Sequence, residues 1–118
     1  MLNSLIHIPL GHLDYDAALG IQQRLVGLVQ AQPSRAFLLS VEHVPPVITL
    51  GRNANHGNIL ASPKRLAELG IALRPASRGG DVTYHGPGQL VLYPIMRIDG
   101  RGGLRQYIHN LEQAVIVS

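Results

Sequence analysis

The sequence predicts an α/β (α+β) fold in which strands and helices alternate along a single domain's length. Three observations carry that expectation. Two stretches, 14–32 and from 104 onward, place apolar residues at helical spacing; five apolar runs, at 5–8, 36–42, 47–50, 71–75 and 90–98, have the length of strands; and glycine and proline punctuate the joins between them. At 118 residues the chain is one domain long, enough to bury roughly two-thirds of the surface of its unfolded form.

Leu5, Ile6 and Ile8 form a short first strand that stops at Pro9-Leu10-Gly11. Asp14 then caps a helix running to about Gln32, whose core face is Ala18, Ile21, Leu25, Leu28 and Val29. Gly20 and Gly27 inside that helix cost about 1 kcal/mol each against alanine, an oddity that close packing against a neighbour would explain. Pro33-Ser34 ends the helix. Ala36 to Glu42 is too short for a helix and reads as a buried strand, followed beyond Pro45-Pro46 by a second strand at Val47 to Leu50 and a loop at Gly51 to Gly57. Ser62 and Pro63 supply an N-cap and a first-turn proline for a short helix through Leu69, with Gly70 as the stop and Ile71 to Pro75 as the next strand. The run Leu90 to Ile98 is a long strand interrupted by Pro94, which implies an edge position or a bulge. Gly100 to Gly103 turns the chain into a last helix carrying Leu104, Tyr107, Ile108, Leu111, Ala114 and Val115. Its pattern is still open at Ser118, without a closing glycine, and we read the chain as part of a longer polypeptide, a frayed natural terminus being the alternative.

Composition narrows the function. There is no cysteine, and Lys64 is the single lysine against nine arginines, so disulfides and thiolate metal sites are excluded. The net charge of +3 comes from scattered arginines, aromatic residues are 4% of the chain, and tryptophan is absent, which argues against a nucleic-acid stripe. No apolar stretch approaches the roughly 20 residues of a membrane span, and Met1-Leu2-Asn3-Ser4 does not open a signal peptide. A cytoplasmic location is the default expectation.

The richest segment is Arg78-Gly79-Gly80-Asp81-Val82-Thr83-Tyr84-His85-Gly86-Pro87-Gly88-Gln89. It sets a guanidinium, a hydroxyl, a phenol and an imidazole among glycines that let a backbone approach a ligand closely. On an extended segment Thr83 and His85 share one side and Tyr84 takes the other, placing a hydroxyl beside an imidazole. Arg78 at the entrance offers a fork of donors for a carbonyl, carboxylate or phosphate, with the peptide N–H groups of Gly79 and Gly80 beside it. The same composition also suits two turns of a hairpin, and both readings stand on the residues alone.

The remaining candidates are weaker. The six histidines, at 7, 12, 43, 56, 85 and 109, lack the spacing of a zinc site. Glu42-His43 can act as an acid–base pair or as a polar cap at a strand end. Gly51-Arg52-Asn53-Ala54-Asn55 can contact an anion or serve as a plain loop, and Ser77 has no base and acid in series for hydrolase chemistry.

Arg-Gly-Gly, two variable residues, Thr-Tyr-His and Gly-Pro-Gly-Gln, at 78 to 89, resemble the hallmark of the lipoyl(octanoyl) transferases. Val41-Glu42-His43 with Pro46-Val47 and Thr49-x-Gly51 is similar to that family's preceding strand, and Leu13 to Tyr15 to its N-terminal approach. The resemblance implies a mixed sheet flanked by helices, like the lipoate and biotin protein ligase catalytic domain, of which residues 1–118 are a single, truncated N-terminal portion. It implies transfer of octanoyl from octanoyl-acyl carrier protein to a lysine on lipoyl domains of ketoacid dehydrogenases or the glycine-cleavage protein, with no metal or other cofactor. Arg78, Gly79, Gly80, Asp81, Val82, Thr83, Tyr84 and His85 correspond to its substrate-binding segment, and Tyr15 to the pocket wall. Burial of an eight-carbon tail is worth up to about 0.8 kcal/mol per CH₂.

One departure follows. Family members are held to transfer through a cysteine thioester assisted by a lysine, both in a later half of the protein. This chain has no cysteine, and Lys64 precedes the hallmark run. The expectation is therefore an octanoyltransferase portion inactive by itself, set against a non-catalytic acyl- or anion-binding module and a decayed fragment acting through protein contacts.

Overall fold

In the computed structural model, residues 4–100 and 103–118 are described. Met1 to Asn3, Arg101 and Gly102, and with them the middle of the expected 100–103 turn, lie outside the described residues. The order is β1 (Ser4–Leu13), α1 (Tyr15–Ala31), β2 (Arg35–His43), β3 (Val47–Leu50), a 3₁₀ turn (His56–Asn58), α2 (Pro63–Glu68), β4 (Ala72–Pro75), β5 (Val82–His85), β6 (Val91–Ile95) and α3 (Gly103–Val117).

The strands make two mixed three-stranded sheets. In the first, β2 is central, parallel to β1 and antiparallel to β6; in the second, β3 is central, parallel to β4 and antiparallel to β5. A parallel neighbour needs a crossover, and α1 supplies it between β1 and β2. β1 outruns the expected 5–8 strand: it passes Pro9, which an edge strand tolerates, and shifts register at Gly11, whose φ of +65° suits glycine. β6 also lies at an edge, as Pro94 required, although it ends at Ile95 and leaves Met96 and Ile98 outside the ladder.

Asp14 caps α1, its carboxylate accepting from the Ala17 N–H at 3.3 Å. Leu25 and Val29 pack on Phe37 and Leu39 of β2 and Ile95 of β6, with Ile8, Leu10, Ile21 and Tyr93 around them. Each such side chain contributes about 1.5–3 kcal/mol when fully buried. Leu28 departs from the expected face and is 54% exposed, because it sits at the border of the apolar stripe. Gly20 and Gly27 face open space, so no close neighbour explains them. Ser62 caps α2 and Pro63 occupies its first turn, as the sequence indicates. Leu66 is the buried residue of α2, beside the apolar strand face of Ile48 and Val82.

Candidate functional site

A cleft of about 340 Å³ opens where α1, the two sheets and the glycine-rich segment meet. Tyr15, Leu19, Gln22 and Gln23 line it from α1; Thr49 and Pro75 from the second sheet; Ala76, Ser77 and Arg78 from the loop after β4; His85 from β5; and Tyr93 from β6. It is therefore assembled from residues spread over most of the chain.

The glycine-rich segment holds two turns with a strand between them, but not a hairpin, since that strand pairs with β3 and the following β6 pairs with β2. Gly80 turns the chain with φ of +87°, Val82 to His85 form a strand against β3, and residues 86–89 close a second turn through the Gln89 N–H to the Gly86 carbonyl at 3.1 Å. Pro87 followed by Gly88, at φ of +88°, is the residue pair a type II turn selects. The Gly88 N–H also donates to the Glu42 carboxylate at 3.1 Å, and His12 approaches the same oxygen at 3.2 Å.

Arg78 lines the cleft but turns much of its fork inward. Nη2 donates to the Thr49 carbonyl and hydroxyl, and Nη1 to the Gly79 carbonyl at 2.9 Å. A guanidinium carries five N–H groups, so two remain without a partner among the described residues. The backbone carries this latch further: Gly51 N–H bonds the Asp81 carbonyl at 2.8 Å, Arg52 N–H that of Arg78 at 3.0 Å, and Asn53 N–H that of Gly80 at 3.1 Å. Gly51 has no room for a side chain, since a Cβ there would lie 2.5 Å from the Gly80 carbonyl oxygen and 2.8 Å from that of Gly79. Asp81 faces this loop too, accepting from the Asn55 N–H at 2.7 Å and from the Asn58 amide. Arg78 thus lines the cleft at the start of a segment, 78–81, that is stitched to the loop after β3.

His85 and Tyr84 point to opposite sides, as alternation requires: His85 into the cleft, Tyr84 into an apolar hollow beside Leu66 and Ile71. Thr83 is exposed and does not line the cleft, and the expected pairing of hydroxyl and imidazole is not made. Gln89 takes that place, its amide oxygen 2.6 Å from His85 Nδ1. An amide oxygen only accepts, so Nδ1 carries the proton and Nε2 is left as an acceptor.

Beneath the cleft lies a buried ring that local sequence signals do not single out. His43 is fully buried, with Nδ1 donating to the Leu13 carbonyl at 3.1 Å and Nε2 accepting from the Tyr93 hydroxyl at 2.8 Å. Tyr15 packs edge-on at 5.6 Å between centroids, and the His85 ring lies 6.1 Å away. Burial lowers the His43 pKa below its ordinary value, with nearby His85 adding to that and the Leu13 bond opposing it. Burial pushes the Tyr93 phenol up to about 12. Both rings are thus neutral, and the Tyr93 proton is committed to His43. Glu42 and His43 are not an acid–base pair: neighbours on a strand face opposite ways, and Glu42 holds the 86–89 turn instead. Neither the burial of His43 nor its pairing with Tyr93 is legible in the sequence; alternation along the strands and the rings of Tyr15, His43 and Tyr93 are the signals that point toward it.

Among the described residues, no group of three or more His, Asp or Glu is placed to hold a metal ion. No described helix is long and apolar enough to cross a membrane.

A family profile described as the lipoyl protein ligase A/B catalytic domain matches residues 14–118. The chain is similar to the octanoyltransferase of Solibacter usitatus (strain Ellin6076), 49% identical over 108 residues that cover 91% of this chain and 49% of that protein. It is similar to that of Nitratidesulfovibrio vulgaris (strain DP4), 48% identical over 113 residues, covering 95% of this chain and 51% of that protein. The octanoyltransferase of Acidobacterium capsulatum is 43% identical over 124 residues, with 98% of this chain and 49% of that protein covered. The chain spans about half the length of these curated relatives.

Proposed function

The chain belongs to the lipoyl protein ligase A/B catalytic domain family, and from that premise we propose that it forms the acyl-holding part of an octanoyltransferase of lipoate biosynthesis. The donor is octanoyl-acyl carrier protein, and the acceptor is a lysine of a lipoyl domain, as in ketoacid dehydrogenases and the glycine-cleavage protein. The observation that carries the reading is identity of 43–49% to proteins named octanoyltransferase over nearly all of this chain.

The chemistry of the cleft agrees with it. Leu19, Pro75 and Ala76 offer apolar wall to a hydrocarbon tail, the free donors of Arg78 offer partners to the thioester carbonyl, and the Nε2 of His85 can accept from an amide N–H of the pantetheine arm beside it. Arg78, Gly79, Gly80, Asp81, Val82, Thr83, Tyr84 and His85 act in this reading as one substrate-binding segment: Arg78 and His85 by contact, the intervening residues by holding the wall and strand in place. In the overall reaction the lysine amine forms a C–N bond to the acyl carbon, the C–S bond breaks, and the thiol departs with a proton. A cysteine-bound intermediate cannot form on this chain, which has no cysteine. The chain alone therefore binds the acyl group without transferring it.

Mass spectrometry of the chain mixed with octanoyl-acyl carrier protein and a lipoyl domain tests this. The expected result is an unmodified chain and an unmodified lipoyl domain, with saturable binding of octanoyl-pantetheine by calorimetry. Acylation of the chain, or turnover of the lipoyl domain, overturns the assignment of inactivity; absence of octanoyl binding overturns the acyl-holding role. The second reading, an acyl- or anion-binding module outside any transferase, draws on one observation: the sole lysine, Lys64, lies on α2 and not in the cleft.

A further inference from the structure

The first sheet and α3 both present apolar surface that no described element buries. Alternation along β2 sends Phe37, Leu39 and Val41 inward, while Leu38 and Ser40 occupy the reverse face, half-buried. The register sets Leu92 of β6 beside Ser40, and Leu92 is 50% exposed. In α3, Leu104, Ile108, Leu111 and Val115 follow one another by three or four residues and so form one stripe, yet no described residue of that helix is buried. A helix of this length draws most of its stability from packing such a stripe against something.

What covers it is indicated by the relatives. They match this chain over 91–98% of its length, but that stretch is only about half of each of them. As much polypeptide again is joined to the same fold in those proteins, and any compact fold must bury the faces this half leaves open.

We propose that the reverse of the first sheet at Leu38 and Leu92, and the α3 stripe at Ile108, Leu111 and Val115, seat the polypeptide that forms the rest of the octanoyltransferase relatives. That polypeptide docks there even when supplied as a separate chain. The inference rests on kinship and exposed surface, so it stands or falls independently of octanoyl binding.

The test co-expresses the full chain with the unmatched half of the Solibacter usitatus octanoyltransferase and determines mass by light scattering after affinity capture. The two halves of that relative, cut at the same boundary, run in parallel. The expected result is a one-to-one complex of the summed mass. Leu92→Asp or Leu111→Asp weakens it tenfold or more, while Gln113→Asp, on the far side of α3, leaves it unchanged. Circular dichroism establishes that each variant keeps its secondary structure; should Leu111→Asp lose helix, Leu92→Asp on the sheet decides. Assembly of the relative's own halves without capture by this chain overturns the proposal, as does failure of both pairs. A dimer of this chain weakened by the same substitutions assigns the surface to a second copy and overturns it too.

Discussion

Arg78 holds Thr49 through a single nitrogen, its Nη2 donating to the Thr49 carbonyl at 3.0 Å and to the Thr49 hydroxyl at 2.9 Å. The most conspicuous cation of the glycine-rich segment is thus a strut between the loop after β4 and strand β3 as well as a lining residue. The two residues stand twenty-nine positions apart, and their bond fixes the wall of the cleft against β3.

That strut has a measurable strength. Hydrogen bonds to charged groups are worth about 1.5–3 kcal/mol, so Arg78→Ala lowers unfolding free energy by about that much. Thr49→Val removes one acceptor and costs about 1 kcal/mol. The double variant loses less than the sum of the two, because they share an interaction. Urea denaturation of the four proteins gives the coupling; strict additivity would show the strut to be idle.

Glycine at position 51 is required by backbone atoms, which cannot step aside as a side chain can. Gly51→Ala costs about 1–3 kcal/mol, in the range of overpacking. Gly20→Ala is the contrasting change, in open space on α1, and stabilises by about 0.5–1 kcal/mol. Thermal melts that rank the two the other way would contradict the stitching of residues 51–53 to 78–81.

The buried His43 makes stability depend on pH. Its pKa in the folded chain lies below the ordinary 6.5, so the unfolded chain takes up the proton first on acidification. The stability linked to this group is fully present above about pH 6.5 and is lost as pH falls through the lower folded value. The melting temperature should fall between pH 7 and pH 5, with the His43 ring, followed by NMR, titrating below the ordinary histidine value. A His43 that titrates at or above 6.5 would remove the basis for this dependence.

Removing the phenol tests the same network without a change in charge. Tyr93→Phe leaves His43 Nε2 buried without a donor and costs about 1–3 kcal/mol, whereas Tyr84→Phe, on the half-exposed reverse side, costs less than about 0.5 kcal/mol. Equal losses would place both hydroxyls on the same footing.

Under the proposed function, Arg78 and His85 contact the ligand, and Gln89 holds the His85 ring. His85→Ala is expected to weaken octanoyl-pantetheine binding about tenfold, the equivalent of about 1.4 kcal/mol. Gln89→Ala gives a smaller loss and alters the tautomer of His85 as seen by nitrogen NMR. Calorimetry that finds the affinity unchanged for both His85→Ala and Arg78→Ala would remove the segment from the binding site.

Much of the fold could be read from local signals. Asp14 and Ser62 as caps, Pro63 in a first turn and Pro94 on an edge strand each act within a few residues of themselves, where stereochemistry leaves few choices. The division into two sheets could not be read, because it depends on which strands find each other across long separations. The site divides in the same way. The hallmark run was visible as a composition no core requires, but the partners of Arg78 and Asp81, and the pairing of His43 with Tyr93 fifty positions away, exist only after folding. The length of β1 was missed because Pro9 and Gly11 read as a stop, whereas an edge strand with a bulge absorbs both.

The stitching of 51–53 to 78–81 also sets a schedule. On a ribosome, α1 and the first two strands emerge early, yet the cleft they border lacks Arg78 and His85 until those have been made, and the partner of His43 until Tyr93 has followed. Closing loops of that length costs entropy before any contact rewards it. The cleft is therefore among the last parts of this chain to take shape during its synthesis.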